Sequence, residues 1–209
     1  MTMHYNRLAG RNLDRLAALS DGVFAVAMTL LVLDIHVPAH DLIQDEAGLW
    51  QALIGLAPRL LTYLMSFVTL GIFWLGQQTQ LNYFARADRD LVWIHIGFLA
   101  LVSIMPLSTA LLGGFVTYRI ALLAYWLNIA LLGLALYGSW RYALRSGLLQ
   151  DDATPEISAA MIRRIVVAQT FYAVGAALCV LGTTWSIAFI ALVQLNYAVS
   201  PRWRRNHPR

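Results

Sequence analysis

The chain has 209 residues, of which 59% are hydrophobic and only 12% charged, with a formal net charge of +4. A soluble domain carries about twice that share of charge, so lipid must form part of the solvent around this chain. All 15 basic residues are arginines that fall between apolar runs, not along one face, which argues against a nucleic-acid partner.

Apolar runs near the ~20 residues needed to cross a bilayer predict an all-α, polytopic membrane protein with six transmembrane helices. The first covers about 13–36. A basic stretch precedes it, as in a signal peptide, but the apolar part is long, ends in DIHVP and lacks a small-x-small cleavage site. An uncleaved helix is therefore expected. Residues 37–56 contain Pro38, three acids and LWQALIGLA, and predict an outer loop with an amphipathic turn or two, closed by Pro58. Further helices are expected at 57–80, 90–113 and 117–143. The polar loop SGLLQDDATPEIS follows, with Thr154-Pro155-Glu156 as the start signal for the fifth helix, 159–183. Cys179, the only cysteine, excludes an intrachain disulfide and a cysteine-based zinc site, and within AALCVLG it reads as a small buried filler. Gly182-Thr183-Thr184 makes a tight reversal into a sixth helix, 185–200. No long polar stretch separates a second domain, so residues 1–209 read as one six-helix unit.

Arginine placement predicts orientation. Arg7, Arg11, Arg15, Arg86, Arg89, Arg141, Arg145, Arg163, Arg164, Arg202, Arg204, Arg205 and Arg209 fall on one set of alternate segments. Only Arg59 and Arg119 fall on the other, whose first loop carries Asp41, Asp45 and Glu46. Both termini are expected in the cytoplasm, in a multi-pass protein of the cell membrane.

The first helix carries the chemistry. Gly22–Ile35 is apolar apart from Thr29 and Asp34, yet its 14 residues reach only about 21 Å of a ~30 Å core. The helix must begin earlier, which draws Arg15, Ser20 and Asp21 toward the inner leaflet, where polar groups need partners. At about 100° per residue, Val26, Leu30 and Leu33 share one stripe with Thr29 beside it, and Asp21 lies about 140° from Val26. Arg15 and Asp21, about 120° apart, are not expected to pair with each other; each should bond to other helices. Taken alone, this is an apolar seam beside a polar cluster.

The run Arg15-Leu16-Ala17-Ala18-Leu19-Ser20-Asp21-Gly22-Val23-Phe24-Ala25, followed by Thr29-Leu30-Leu31-Val32-Leu33, resembles the R-x-x-x-F-S-D signature of the transmembrane protein 175 family. That family comprises the endolysosomal potassium channel and its single-repeat prokaryotic relatives. The likeness continues through Pro58, Tyr63, Ser66-Phe67, Phe73-Trp74, Asp90-Leu91, Trp93, Ser103, Pro106 and Thr109-Ala110-Leu111-Leu112-Gly113. It covers the first half of the chain residue by residue and the second half mainly by helix count. The resemblance implies a homotetramer whose first helices line a central potassium-permeable pore. Its constriction would be an aliphatic ring at Val26, with further rings at Leu30 and Leu33 and the family threonine at Thr29. Potassium is the implied permeant ion; no cofactor, resident metal or soluble partner is implied beyond the lipid bilayer and further copies of the chain.

Three departures from the family pattern stand out. Leu19 replaces the usual Phe. Val26 is smaller than the family's Ile or Leu, so a wider, less selective constriction is expected. Gln77-Gln78 stand where many members carry histidines, while His95 occupies a position more often neutral.

Other constellations carry less. No T-V-G-Y-G filter occurs, which excludes a carbonyl-cage filter. His36 and His40 are separated by Pro38, which breaks the helix a metal site would need. Asp34 and His36 lie where an outer mouth would attract cations, and equally fit a simply solvated loop. Trp50, Trp74, Trp93, Trp126, Trp140, Trp185 and Trp203 fall mostly near run ends, as an interfacial belt would place them. No G-x-S-x-G, phosphate loop or H-E-x-x-H occurs, and no enzyme is expected. The expected function is passive cation leak through stacked apolar rings. The alternative is a secondary transporter or proton-coupled carrier with Asp21 as its protonatable site, for which no inverted repeat is recognisable.

Overall fold

The computed structural model describes residues 13–39 and 43–199; His40, Asp41 and the arginines at 7, 11, 202, 204, 205 and 209 that entered the topology argument lie outside them. Helix α1 spans Leu13–Leu30 and continues as a 3-10 turn, Leu31–Asp34. Then follow α2 (Glu46–Gly55), α3 (Ala57–Tyr83), α4 (Arg89–Gly114), α5 (Arg119–Arg145), α6 (Pro155–Ala177, extended by a 3-10 turn Leu178–Val180) and α7 (Thr183–Val199). Five of these, α1 and α3 to α6, are long and apolar enough to cross a membrane. Helix α7 has 17 residues, about 25 Å of rise.

Local chemistry accounts for most of the boundaries. Asp88 caps α4 by accepting from the Leu91 amide at 2.9 Å, and Thr154 caps α6 by accepting from Ile157 at 3.3 Å with Pro155 at the first helical position. Helix α2 departs from expectation. Where a turn or two was read, Asp45 accepts from the Gly48 amide at 2.7 Å and nucleates ten helical residues. Pro58 does not close that loop but opens α3, in the first turn where its missing N–H costs nothing. Gly182 takes a positive φ of 156° at the reversal into α7.

Helix α1 packs on α3 and α4; α4 packs on α5, α5 on α6, α6 on α7, and α7 returns to α3. One core cluster runs through Phe24, Phe98, Met105, Leu112 and Tyr125. A second, around Phe84, Leu91, Leu16 and Trp140, fills the arginine-rich end. Trp140 is thus no interfacial residue: it is fully buried and stacks on Phe84. Trp50, Trp93 and Trp185 are exposed, as a lipid interface would have them. At the same end the α3–α4 and α5–α6 connections are tied together, Ala85 N–H donating to Leu148 O at 2.8 Å and Gln150 N–H to Tyr83 O at 2.9 Å. Both connections therefore lie on one side, as the arginine alternation predicts.

A polar seam joins four helices inside this apolar body. Gln194 of α7 donates to Thr69 of α3 at 2.7 Å, Ser66 donates to the Tyr125 hydroxyl of α5 at 3.3 Å, and Thr109 of α4 donates to Ser66 at 2.7 Å. With no water in the hydrocarbon to compete, such bonds fix helix register. Close approach does the same for α6 and α7, where a Cβ on Gly175 would meet Ile190 at 2.7 Å. Gly175→Val should prise these helices apart and lower stability by about 1–3 kcal/mol. Gly138→Val, with nothing within 4 Å of its Cβ, should cost no more than a few tenths. Thermal unfolding of both variants in detergent checks the contrast.

Candidate functional site

Helix α1 has two unlike faces. Leu16, Ser20, Phe24, Ala27 and Leu31, spaced by four, four, three and four, are buried against α3 and α4. Phe24 and Leu31 are each only 2% exposed, and Phe24 tilts against Phe98 with ring centroids 5.9 Å apart. The other face is bare: Val26 is 57% exposed, Leu30 44% and Leu33 65%. Uncovered aliphatic side chains in such a row need lipid or protein over them.

The switch to 3-10 geometry at Leu31 bears on this row. Residues three apart eclipse in a 3-10 helix, so Leu33 stands almost directly beyond Leu30 instead of drifting around the axis. From Val26 to Leu33 the row is about 12 Å long, four residues at 1.5 Å and three at ~2.0 Å. Thr29, beside it, is exposed and donates its hydroxyl hydrogen back to the carbonyls of Val26 at 2.9 Å and Ala25 at 3.0 Å. The oxygen lone pairs are thereby left facing outward, as acceptors.

The buried face is held by hydrogen bonds that cross the bundle. Ser20 donates to Leu16 O at 2.8 Å and accepts from Gln77 Nε2 of α3 at 3.0 Å. The same amide nitrogen lies 3.1 Å from His95 Nδ1 of α4, and His95 Nε2 lies 2.9 Å from Ser139 Oγ of α5. An amide nitrogen only donates, so Nδ1 accepts and the neutral imidazole carries its hydrogen on Nε2, toward Ser139. Four helices share this chain, and Ser20, Gln77 and His95 are all fully buried. Beside it, Asp21 Oδ1 accepts from Trp74 Nε1 at 2.7 Å and from Gln78 Nε2 at 2.8 Å.

The predicted site residues separate accordingly. Ser20 and Asp21 bond to neighbouring helices, as expected of them. Asp21 does so from the exposed rim of α1, not from its core, and well inside the helix, which is already formed at Leu13. Arg15 is exposed and stands apart from the Ser20–Ser139 chain. At the far end the Asp34 carbonyl accepts from Arg59 Nη1 at 3.2 Å and lies 3.0 Å from His36 Nδ1. An arginine thus sits beside the acid that was expected to attract cations. Ser139 escaped the sequence reading, since a serine in a long apolar run carries no pattern of its own. Trp74, read as an interfacial residue, is a hydrogen-bond donor to Asp21.

Five helices long and apolar enough to cross a membrane define a polytopic membrane protein, and α1 is one of several whose outer face is bare. The solved structure of a lysosomal potassium-selective channel TMEM175 homolog from Chamaesiphon minutus matches it with a TM-score of 0.78 at 27% identity, over 89% of this chain and 96% of that one. Fold and relatives are those of membrane channels, not of enzymes. The family profile described as endosomal/lysosomal potassium channel TMEM175 matches residues 15–106. A potassium channel of Streptomyces collinus is 32% identical over 188 residues, spanning 88% of this chain and 90% of that protein. A potassium channel of Chamaesiphon minutus is 29% identical over 189 residues, spanning 88% and 93%. The chain belongs to the TMEM175 family. The endosomal/lysosomal proton channel TMEM175 of Gallus gallus is 35% identical over 107 residues, 49% of this chain but 21% of that longer protein.

The Asp21 brace yields a direct expectation. Asp21→Ala removes the acceptor for two N–H groups and should lower stability by about 1–3 kcal/mol. Asp21→Asn keeps an oxygen acceptor and should lose less than half as much. Thermal unfolding of the purified variants separates the two.

Proposed function

We propose that four copies of this chain surround a central, potassium-permeable pore, lined by the bare face of α1 from each. The observation that carries this reading is the contrast on α1: one face buried and hydrogen-bonded across four helices, the other an uncovered row of Val26, Leu30 and Leu33. Potassium channels among the similar proteins support the choice of ion. In this reading α7 is the sixth membrane-spanning helix, residues 1–209 form one subunit, both termini are cytoplasmic, and the protein resides in the cell membrane without signal cleavage.

Conduction is passive and leak-like, and the first of the aliphatic rings, at Val26, is the constriction. Aliphatic side chains offer no ligand to replace hydration, so discrimination arises from the water an ion must shed, and closure from narrowing and dewetting. Thr29, with its hydrogen committed to the backbone, presents lone pairs to a passing cation and partly solvates it beside the ring. Ser20 and Asp21 hold the helix that carries the rings, and Arg15 completes the family motif at its cytoplasmic end. At the outer mouth, attraction of cations by Asp34 and His36 is offset by the neighbouring Arg59. Asp21, engaged by two N–H donors on one oxygen, acts as a brace and not as a carrier's coupling site.

Purified protein in planar bilayers under asymmetric potassium and sodium provides the test. Val26→Asn should hydrate the constriction, raise conductance by on the order of twofold or more and lower the preference for potassium. Val26→Phe should reduce the current. Unchanged conductance and selectivity in both variants would remove Val26 from the permeation path.

A further inference from the structure

On the side of the bundle away from α1, a narrow cleft of about 60 Å³ opens between α3, α5, α6 and α7. Its walls are mostly apolar, with Phe73, Leu136 and Ile165 among them, and Gly76 leaves them open: a Cβ there would just touch Leu136, at 3.5 Å. Gln80, Arg164, Gln169, Tyr172 and Tyr197 break the pattern, the Tyr172 hydroxyl being buried without a partner among the described residues. Gln80, 1% exposed, donates to Leu136 O at 3.0 Å, yet its Oε1 has no hydrogen-bond partner among the described residues. A buried amide oxygen left unpaired in an apolar wall is costly and calls for a donor. Arg164, exposed, lines both this cleft and an open groove between α6 and α7 whose sides include Phe171, Phe189 and Asn196.

We propose that the cleft and groove together hold an anionic phospholipid of the cytoplasmic leaflet with hydroxyls on its head group, phosphatidylglycerol. The phosphate sits on the Arg164 guanidinium, a glycerol hydroxyl reaches into the cleft and donates to Gln80 Oε1, and the acyl chains follow the groove between α6 and α7. This rests on the cytoplasmic orientation of the arginine-rich end given above. The depth is right for it. Pro155–Val180 is 26 residues, about 39 Å long against a ~30 Å core, so Arg164, nine residues in, reaches the head-group level by extending its side chain. Charge selects the anion and the unpaired acceptor selects the hydroxyl. A zwitterionic choline head satisfies neither requirement. The cleft lies among α3, α5, α6 and α7, apart from the bare face of α1.

Native mass spectrometry of the purified protein, exposed to equimolar phosphatidylglycerol, phosphatidylethanol and phosphatidylcholine, tests the proposal. Phosphatidylethanol carries the same charge without head-group hydroxyls. Wild type should retain phosphatidylglycerol first, phosphatidylethanol second and phosphatidylcholine least. Arg164→Ala should lower retention of both anionic lipids roughly tenfold, while the adjacent Arg163→Ala should not. Gln80→Leu should abolish the preference for phosphatidylglycerol over phosphatidylethanol, and Gly76→Leu, which fills the cleft, should displace both. Equal retention of the three lipids, retention of none, or identical behaviour of the two arginine variants would overturn the site. Retention is read without any ion flux, so a protein that binds the lipid but fails to conduct refutes the pore and leaves this site standing.

Discussion

Inside a bilayer no water competes for a buried hydroxyl, amide or imidazole, so a partner within the protein stabilises such a group strongly. In this chain that stabilisation falls on the first helix. Ser20 meets Gln77, Gln77 meets His95, and His95 meets Ser139, so α1, α3, α4 and α5 are joined through a single line of hydrogen bonds. Asp21 adds a second attachment to α3 through Trp74 and Gln78. Rotation of α1 by one residue, about 100°, would break the Ser20–Gln77 bond and both Asp21 bonds at once and bury a carboxylate or leave a Gln77 N–H unpaired. The rotational setting of α1 is therefore fixed by polar chemistry, and its apolar side chains take the directions left to them.

What is left is a helix with a division of labour. Phe24, Ala27 and Leu31 fill the core beside the polar line, while Val26, Leu30 and Leu33 stand clear of the subunit. The 3-10 turn at Leu31–Asp34 straightens the outer end of that row. The far side of the molecule follows a different logic. There α6 and α7 approach closely at Gly175 and leave open the cleft that ends in Arg164.

Much of this was legible in the sequence, because the hydrophobic stretches are long and the arginines alternate. Periodicity alone put Val26, Leu30 and Leu33 on one stripe, and the subunit leaves all three exposed. Geometry also separated Arg15 from Asp21 and sent Asp21 toward another helix. The partners were not legible. Gln77, Gln78 and His95 stood out only as departures from the family pattern; nothing local showed that the glutamine at 77 and the histidine at 95 meet, 18 positions apart in sequence but side by side across two helices. Trp74 and Trp140 were both read by their nearness to run ends, a rule about lipid depth that knows nothing of which face a side chain takes. Helix α2 was underestimated because its stabilising signal is one capping aspartate, Asp45, in a stretch otherwise marked by prolines and acids.

The central claim is that the face of α1 opposite the hydrogen-bonded one meets the aqueous path of the ion. Substituted-cysteine accessibility in an otherwise cysteine-free channel tests it most directly. Cysteines at 26, 30 and 33 should react with small water-soluble thiol reagents and change the potassium current on reaction. Cysteines at 24 and 31 should stay unreactive in the folded protein. Reactivity and block that follow positions 24 and 31, or that are absent from 26, 30 and 33 in a conducting channel, would contradict the account.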